Sequence, residues 1–297
     1  MKHILLIAAL LASFAFCPLG ADAQGVIVKP KPKPNPVDKP DKAKQEAARR
    51  RQQEREAARR RQREQEAAQH RNSELNKLAQ NMVYVQGGTF TMGASNDEEA
   101  YADEKPAHKV TLSSFYICKY EVTQSLWEAV MGCNPSKFKG DNLPVERVSW
   151  DDCQQFISKL NALTGQHYRL PTEAEWEFAA RGGNSSRGYK YSGSSTLSDV
   201  AWYDDNSGNK THPVGTKSPN ELGLYDMTGN VCEWCSDWYG DYNSSAQTNP
   251  AGPSRGTYRV YRGGSWNFIA GGCRASCRGS NTPGNRSGNL GLRLVRS

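Results

Sequence analysis

The stretch Arg262 to Val295, RGGSWNFIAGGCRASCRGSNTPGNRSGNLGLRLV, decides how the rest of the chain is read. It joins a Gly-Gly-Ser-Trp turn to two cysteines, several arginines and a Gly/Asn-rich return into a final apolar strand. Glycines so placed mark backbone that takes positive φ or passes close to another group. The pattern describes an irregular, packed segment able to carry a site, and it has neither helical nor repeat periodicity.

Just upstream, GLYDMTGNVCEWCSDWYGDY at 223–242 alternates the side-chain oxygens of Asp226, Asn230 and Glu233 with flexible backbone at Gly229. A calcium loop requires that alternation, and ordinary turns use the same residues. Cys232 and Cys235 form a C-x-x-C that reads as a redox pair, as part of a disulfide, or as buried thiols. With Cys273 and Cys277 they also form a candidate zinc set. His108, His167 and His212 lack the close spacing of metal ligands and read as ordinary surface or core histidines.

From Asn81 onward the composition is aromatic, glycine-rich and mixed in charge, as a folded domain requires. Met82–Val85 and Thr89–Met92 flank Gly87-Gly88 and predict a hairpin. Lys109–Val122 alternates strand formers, with Val110, Leu112, Phe115 and Ile117 pointing inward. Three helices follow. The first is capped by Thr123 and stopped by Gly132. The second runs from about Trp150 to Leu163, capped by Ser149 and ended near Gly165, with Cys153, Phe156, Ile157 and Leu160 on one face. The third opens on a Thr172/Glu175 capping box, buries Trp176, Phe178 and Ala179, and ends at Gly182-Gly183. Beyond Gly183 only short strands, at Gly256–Arg262 and Leu290–Val295, stand out from loop-forming sequence. Loops of such length in a compact domain are held by function or by ligands.

The N-terminal part is different. Lys2, the apolar run Ile4–Phe16 and the small-x-small site Ala21–Ala23 read as a secretory signal peptide over residues 1–23. Phe16 before Cys17 fits lipoprotein processing poorly. The chain is therefore expected to be exported, to the periplasm or the extracellular space, where disulfides are permitted. Cys235 with Cys273 is the first candidate pair. Residues 24–43 form a Pro/Lys-rich linker, and residues 44–80 a charged arm with an EAARRR-type period of about ten residues. Without an apolar stripe larger than alanine, the arm reads as a solvated single helix in preference to a coiled coil. The formal charge is +7 overall, yet residues 24–80 alone carry 16 Lys/Arg against 8 Asp/Glu. The folded part is thus near −1. A nucleic-acid partner is not expected, and the arm reads as a spacer or as a grip on anionic polymer or a membrane surface.

Six ordered motifs, YICKYEVTQSLWEAVMG, PVERVSWDDCQQF, RLPTEAEWEFAARGG, GLYDMTGNVCEW, YRGGSW and SNTPGNRSGNLGLRLV, resemble the formylglycine-generating, sulfatase-modifying factor family over residues 81–297. The resemblance implies an irregular α+β fold related to C-type lectins, low in regular secondary structure, with bound Ca2+. Carried onto this chain, one calcium set is Asp226, the carbonyls of Gly229 and Val231, and Glu233. A second is Asp199, the Val200 carbonyl, Asn206 and Gly208. Active members oxidise a substrate cysteine to formylglycine with Cu+ held between two cysteines at the turn of Ser265 and Trp266. Here the first position is Phe268. The second is Cys273 counted from Trp266, or Ala270 counted back from RASCR. Phenylalanine offers no thiolate for a soft metal. The expectation is an exported binding or structural component of the cell envelope that engages a protein, peptide or glycan. Formylglycine generation, drawing on Cys273, Ser265 and Trp266, is the alternative.

Overall fold

The structure is a computed structural model and describes residue 31, residues 41–94 and residues 100–297. The leader and nearly all of the Pro/Lys linker lie outside the described residues. Among those described, no helix is long and apolar enough to cross a membrane. The chain divides into two compact units, residues 1–56 and 57–297, and the second holds the Gly-Gly-Ser-Trp turn and the buried carboxylates considered below.

Helix α1 (Lys42–Gln80) runs through the whole charged arm. Ala, Arg, Gln and Glu favour it intrinsically, and i,i+4 pairs such as Arg50–Glu46 (2.9 Å) and Arg60–Glu64 (2.8 Å) line its exposed surface. Its last turns have an apolar side: Leu75 and Leu78 pack into a core with Val122 and Leu126, and His70 Nε2 lies 3.3 Å from Ser125 Oγ. The packed domain therefore takes in the end of the arm, ahead of Asn81.

Strand β1 (Met82–Val85) and strand β2 (Gly88–Met92) are both present, but they do not form the expected hairpin. β1 pairs with β4 (Phe115–Cys118), and β2 pairs with β3 (His108–Leu112). Gly87 lets the chain pass from one sheet to the next: a Cβ there would lie 2.4 Å from the Leu112 carbonyl oxygen. Close backbone approach, and not a tight turn, is what the glycine serves. Val110, Leu112, Phe115 and Ile117 all point inward as expected.

The three helices follow their capping signals. In α2 (Gln124–Met131) the Thr123 hydroxyl accepts from Leu126 N, and Gly132 takes the left-handed stop. α3 (Trp150–Thr164) has a Ser149/Asp152 capping box and buries Cys153, Phe156, Ile157 and Leu160. α4 (Glu173–Ala180) has the Thr172/Glu175 box, and all eight of its residues are buried. A short helix α5 (Leu197–Val200) is the last.

The remaining strands are brief. One sheet has the order β1-β4-β11-β5, with β11 at Val295–Arg296 and β5 at Tyr168–Arg169. A second, of order β10-β6-β8-β9, combines Leu290–Gly291, Cys232–Trp238, Arg259–Arg262 and Arg278–Asn281. The third is β2-β3-β7, with β7 at Gln247–Thr248. The fold is mixed α and β with long irregular connections, and strand β6 runs through its centre.

Candidate functional site

The arginines of the C-terminal stretch are internal. Arg262, Arg274, Arg278 and Arg293 are all buried. Arg293 forks onto Glu233 at 2.7 Å, Arg278 onto Glu173 at 2.6 Å, and Arg274 Nη1 reaches Glu104 at 2.6 Å. Arg262 pairs with Glu177 and donates to the carbonyls of Ser276 and Cys277, both at 2.7 Å. Buried guanidinium groups need carboxylates and carbonyls around them, and these have both. Paired in this way, they fix the path of the loop. Arg286, paired with Asp152 at 2.6 Å, is the exposed one.

On this frame sits the Gly263–Phe268 turn. Gly263 and Gly264 take φ of 100° and 70°, and a Cβ on Gly264 would lie 2.6 Å from Cys273 Sγ. The turn is stitched to the 223–233 segment by Gly229 N to Gly263 O (2.8 Å) and Trp266 N to Asn230 O (2.9 Å). Ser265 is buried, with its hydroxyl 2.8 Å from Asn267 Oδ1 and 3.2 Å from the Asn289 amide that donates to it. The Trp266 indole donates to Gly288 O at 2.9 Å and its ring stands edge-on to Phe138. Phe268 packs into apolar clusters, its ring against Gly272, while Ile269 at the apex is 65% exposed.

Among the described residues all seven cysteines are free, and the expected Cys235–Cys273 disulfide is not formed. Residues three apart on a strand face opposite sides, so β6 sends Cys232 and Cys235 into different cores. Cys273 packs in a third, beside Tyr191 and Leu197. The same geometry removes the redox C-x-x-C and the four-cysteine zinc set. Cys232, Cys273 and Cys277 do share one neighbourhood behind Ser265. Burial pushes the Cys232 thiol well up, partly offset by a hydrogen bond to Ser265. Burial likewise raises Cys273 to about 12 and Cys277 to about 11. All three are protonated thiols at neutral pH.

The two calcium sets fare differently. Asp226 and Glu233 are brought together in the interior, next to Glu121 and Arg293. Asp226 fits a hard cation: Oδ2 accepts from Gly215 N at 2.7 Å, and Oδ1 is buried with no partner among the described residues. Glu233 does not fit, since both its oxygens already hold Arg293 (2.7 and 3.0 Å) and one also holds the Trp176 indole (2.7 Å). Gly229 and Val231 serve the backbone stitching, Val231 N donating to Glu121 at 3.0 Å. In the second set Asp199 is exposed at the end of α5, near Val200. Asn206 closes its own loop through Tyr203 N and Ala201 O, both at 2.9 Å, and the neighbouring Gly208 lies exposed. Among the described residues no three His, Cys, Asp or Glu side chains converge as a metal cage.

Glu121, Glu104 and Arg293 were not anticipated from the sequence. A charged residue inside an apolar run, such as Arg293 in LGLRLV, is the signal that marks a buried partner.

A loop-rich mixed α/β domain, closed by a Gly-Gly-Ser-Trp turn that buried arginines hold in place, places this chain among the formylglycine-generating-type, C-type-lectin-related folds. The chain belongs to the family described as sulfatase-modifying factor enzyme 1-like domain, which it matches over residues 65–297. It is 36% identical to the chaperone protein LppX of Paenibacillus barcinonensis, over 74% of this chain and 90% of that one. It is 32% identical to the formylglycine-generating enzyme of Streptomyces coelicolor, over 73% and 89% respectively. The solved structure of Treponema denticola variable protein 1 superposes with a TM-score of 0.67 at 35% identity, over 72% of this chain and 94% of that one. The match from residue 65 agrees with a domain that takes in the end of α1.

Proposed function

We propose that this chain is an exported binding member of the family, a component that engages a protein, peptide or glycan of the cell envelope through its loops and does not generate formylglycine. Phe268 carries the reading. It stands where a copper thiolate would, and its ring is packed into apolar cores. Cys273, the remaining candidate, is a buried protonated thiol wedged against Gly264. These residues do not fit a two-thiolate Cu+ centre, so no oxidative step is derived through one. The relative named as a chaperone supports a binding role; the relative named as a formylglycine-generating enzyme keeps the oxidase as the alternative. The exposed Ile269 and half-buried Trp266 give the turn a surface suited to a partner.

The test is incubation of the full chain with copper and a Cys-x-Pro-x-Arg peptide, followed by mass spectrometry for the aldehyde. No turnover is expected. Turnover that disappears in Cys273→Ser would overturn the binding reading and point to the Cys232/Cys273/Cys277 group as an alternative soft-metal site.

Two further elements belong to this reading. The basic arm, exposed along most of α1, would contact anionic polymer or a membrane surface. Asp226 would hold Ca2+ through its unpartnered oxygen, with the Glu121 carboxyl nearby. A chelator is then expected to lower the melting temperature, and Asp226→Asn to abolish that response. An unchanged melting curve in the wild type would remove calcium from the account.

A further inference from the structure

Away from the Gly-Gly-Ser-Trp turn, a cavity of about 330 Å³ opens under the loop between Gly240 and Pro253. That is within the range of small-ligand sites, and Ser265, Trp266, Phe268 and Cys273 take no part in it. Its buried wall carries Asp237, Glu173, Arg278 and His108, and Trp238 and Tyr242 supply aromatic surface.

The charges on this wall do not cancel. Glu173 is answered by Arg278 (2.6 and 2.7 Å) and by the Tyr242 hydroxyl (3.1 Å). Asp237 is not. Its Oδ2 accepts from Glu173 N (2.9 Å) and Ser236 Oγ (3.0 Å), while Oδ1 has no donor among the described residues, in a residue only 4% exposed. The arginines that act on Asp237 are engaged with other groups. Arg259 is sandwiched between Trp150 and Trp238 and donates to Ser236 O, and Arg169 forks onto Glu175. A buried carboxylate without a counter-ion at the wall of a cavity is a recognition element for a cation. The space exceeds what a bare ion needs. Among the described residues no metal cage forms, and the aromatic wall suits an organic body.

We infer that this cavity is a binding site for an organic ammonium group, which pairs with Asp237 while its carbon chain lies along Tyr242 and Trp238. The ligand is either a free amine or the lysine side chain of a peptide; the chemistry recognised is the same. Burial and the nearby Glu173 raise Asp237 to about 7, so below that pH the empty site holds a proton that the ligand's charge must replace. Glu175, Arg169 and Arg259 also act on this acid, Arg278, Tyr242, His108 and Asp241 line the same cavity, and none of the arginines loses its charge in the working range.

Calorimetric titration of the full chain with 1,5-diaminopentane, with Nα-acetyl-lysine amide and with the uncharged Nα-acetyl-norleucine amide tests this. One or both amines should bind and the norleucine compound should not; the tighter of the two identifies the source. Affinity should fall about tenfold from pH 8 to pH 6 as Asp237 is protonated. His108→Gln should keep that profile, which separates Asp237 from the histidine on the same wall. Asp237→Asn should abolish binding. Ala251→Trp, at the exposed mouth, should block it with an unchanged melting curve, so that loss of binding is not loss of fold. No amine binding, equal binding of the norleucine control, a pH-independent affinity or wild-type binding by Asp237→Asn would each overturn the proposal.

Discussion

Strand β6 carries two buried carboxylates on one face, Glu233 and Asp237, and they have opposite surroundings. Glu233 is closed on all sides by the Arg293 fork and the Trp176 indole. Asp237 has backbone and hydroxyl donors at one oxygen and a cavity beyond the other. Where a buried charge is answered from within the chain, the outcome is architecture; where it is unanswered, the chain is prepared for something that is not part of it. Asp226, with one free oxygen beside the closed pair, is an intermediate case.

Opening the closed end should have the largest effect. Arg293→Met leaves Glu233 buried without its counter-ion, and stability should drop by about 3–5 kcal/mol. Removing both charges, as Arg293→Met with Glu233→Leu, should recover most of that loss, because an apolar pair of similar volume avoids the desolvation of two ions. Urea unfolding of the two variants checks this. A double variant as unstable as the single would mean that the contacts of Arg293 to the carbonyls of Cys118 (2.9 Å) and Tyr225 (2.7 Å) matter more than the charge.

The intermediate case gives a crossing prediction. Burial raises Asp226 from 3.8 to about 6, opposed by the Gly215 N–H and Arg293. Folded protein therefore keeps a proton that unfolded chain has already released, so stability falls as pH rises from about 4 to about 6. The full shift corresponds to about 3 kcal/mol above that window. In chelator at pH 7.5, Asp226→Asn should thus be more stable than wild type by up to about 3 kcal/mol, and the difference should vanish at pH 4. In excess calcium the order should reverse. Wild type below Asp226→Asn in both media would place no cation at this residue.

The fold was legible wherever local chemistry decides it. Thr172/Glu175, Ser149 and Gly132 act as their types require, and the motif order pointed to the family. The Gly87-Gly88 hairpin failed because glycine serves turns and close approaches alike, and only the neighbouring Leu112 carbonyl distinguishes them. The Cys235–Cys273 disulfide failed because sequence does not show which core each cysteine enters: Cys235 packs into one cluster and Cys273 into another. At the site, Phe268 was legible as an apolar residue in the turn, and its ring packs into apolar clusters. The commitment of Glu233 to Arg293 was not, because the two lie 60 residues apart and meet only through the pairing of β10 with β6.

Helix α4 links the two ends of β6, which makes its N-cap the most delicate test of the comparison. The Thr172 hydroxyl accepts from Glu175 N at 3.1 Å, while the Glu175 carboxylate accepts from Thr172 N at 2.8 Å. One residue further on, Glu173 N donates to Asp237, and at the next turn Trp176 donates to Glu233. Thr172→Ala should cost about 1 kcal/mol, the usual loss for a removed cap. That loss is too small to open the Glu233 end, where Trp176 is locked by packing around its ring. It falls on the first turn of α4, whose amide helps set the carboxylate of Asp237. The variant should therefore keep a cooperative urea transition while binding amines more weakly than wild type. A variant that loses stability but binds amines unchanged would show that β6, and not α4, orients Asp237.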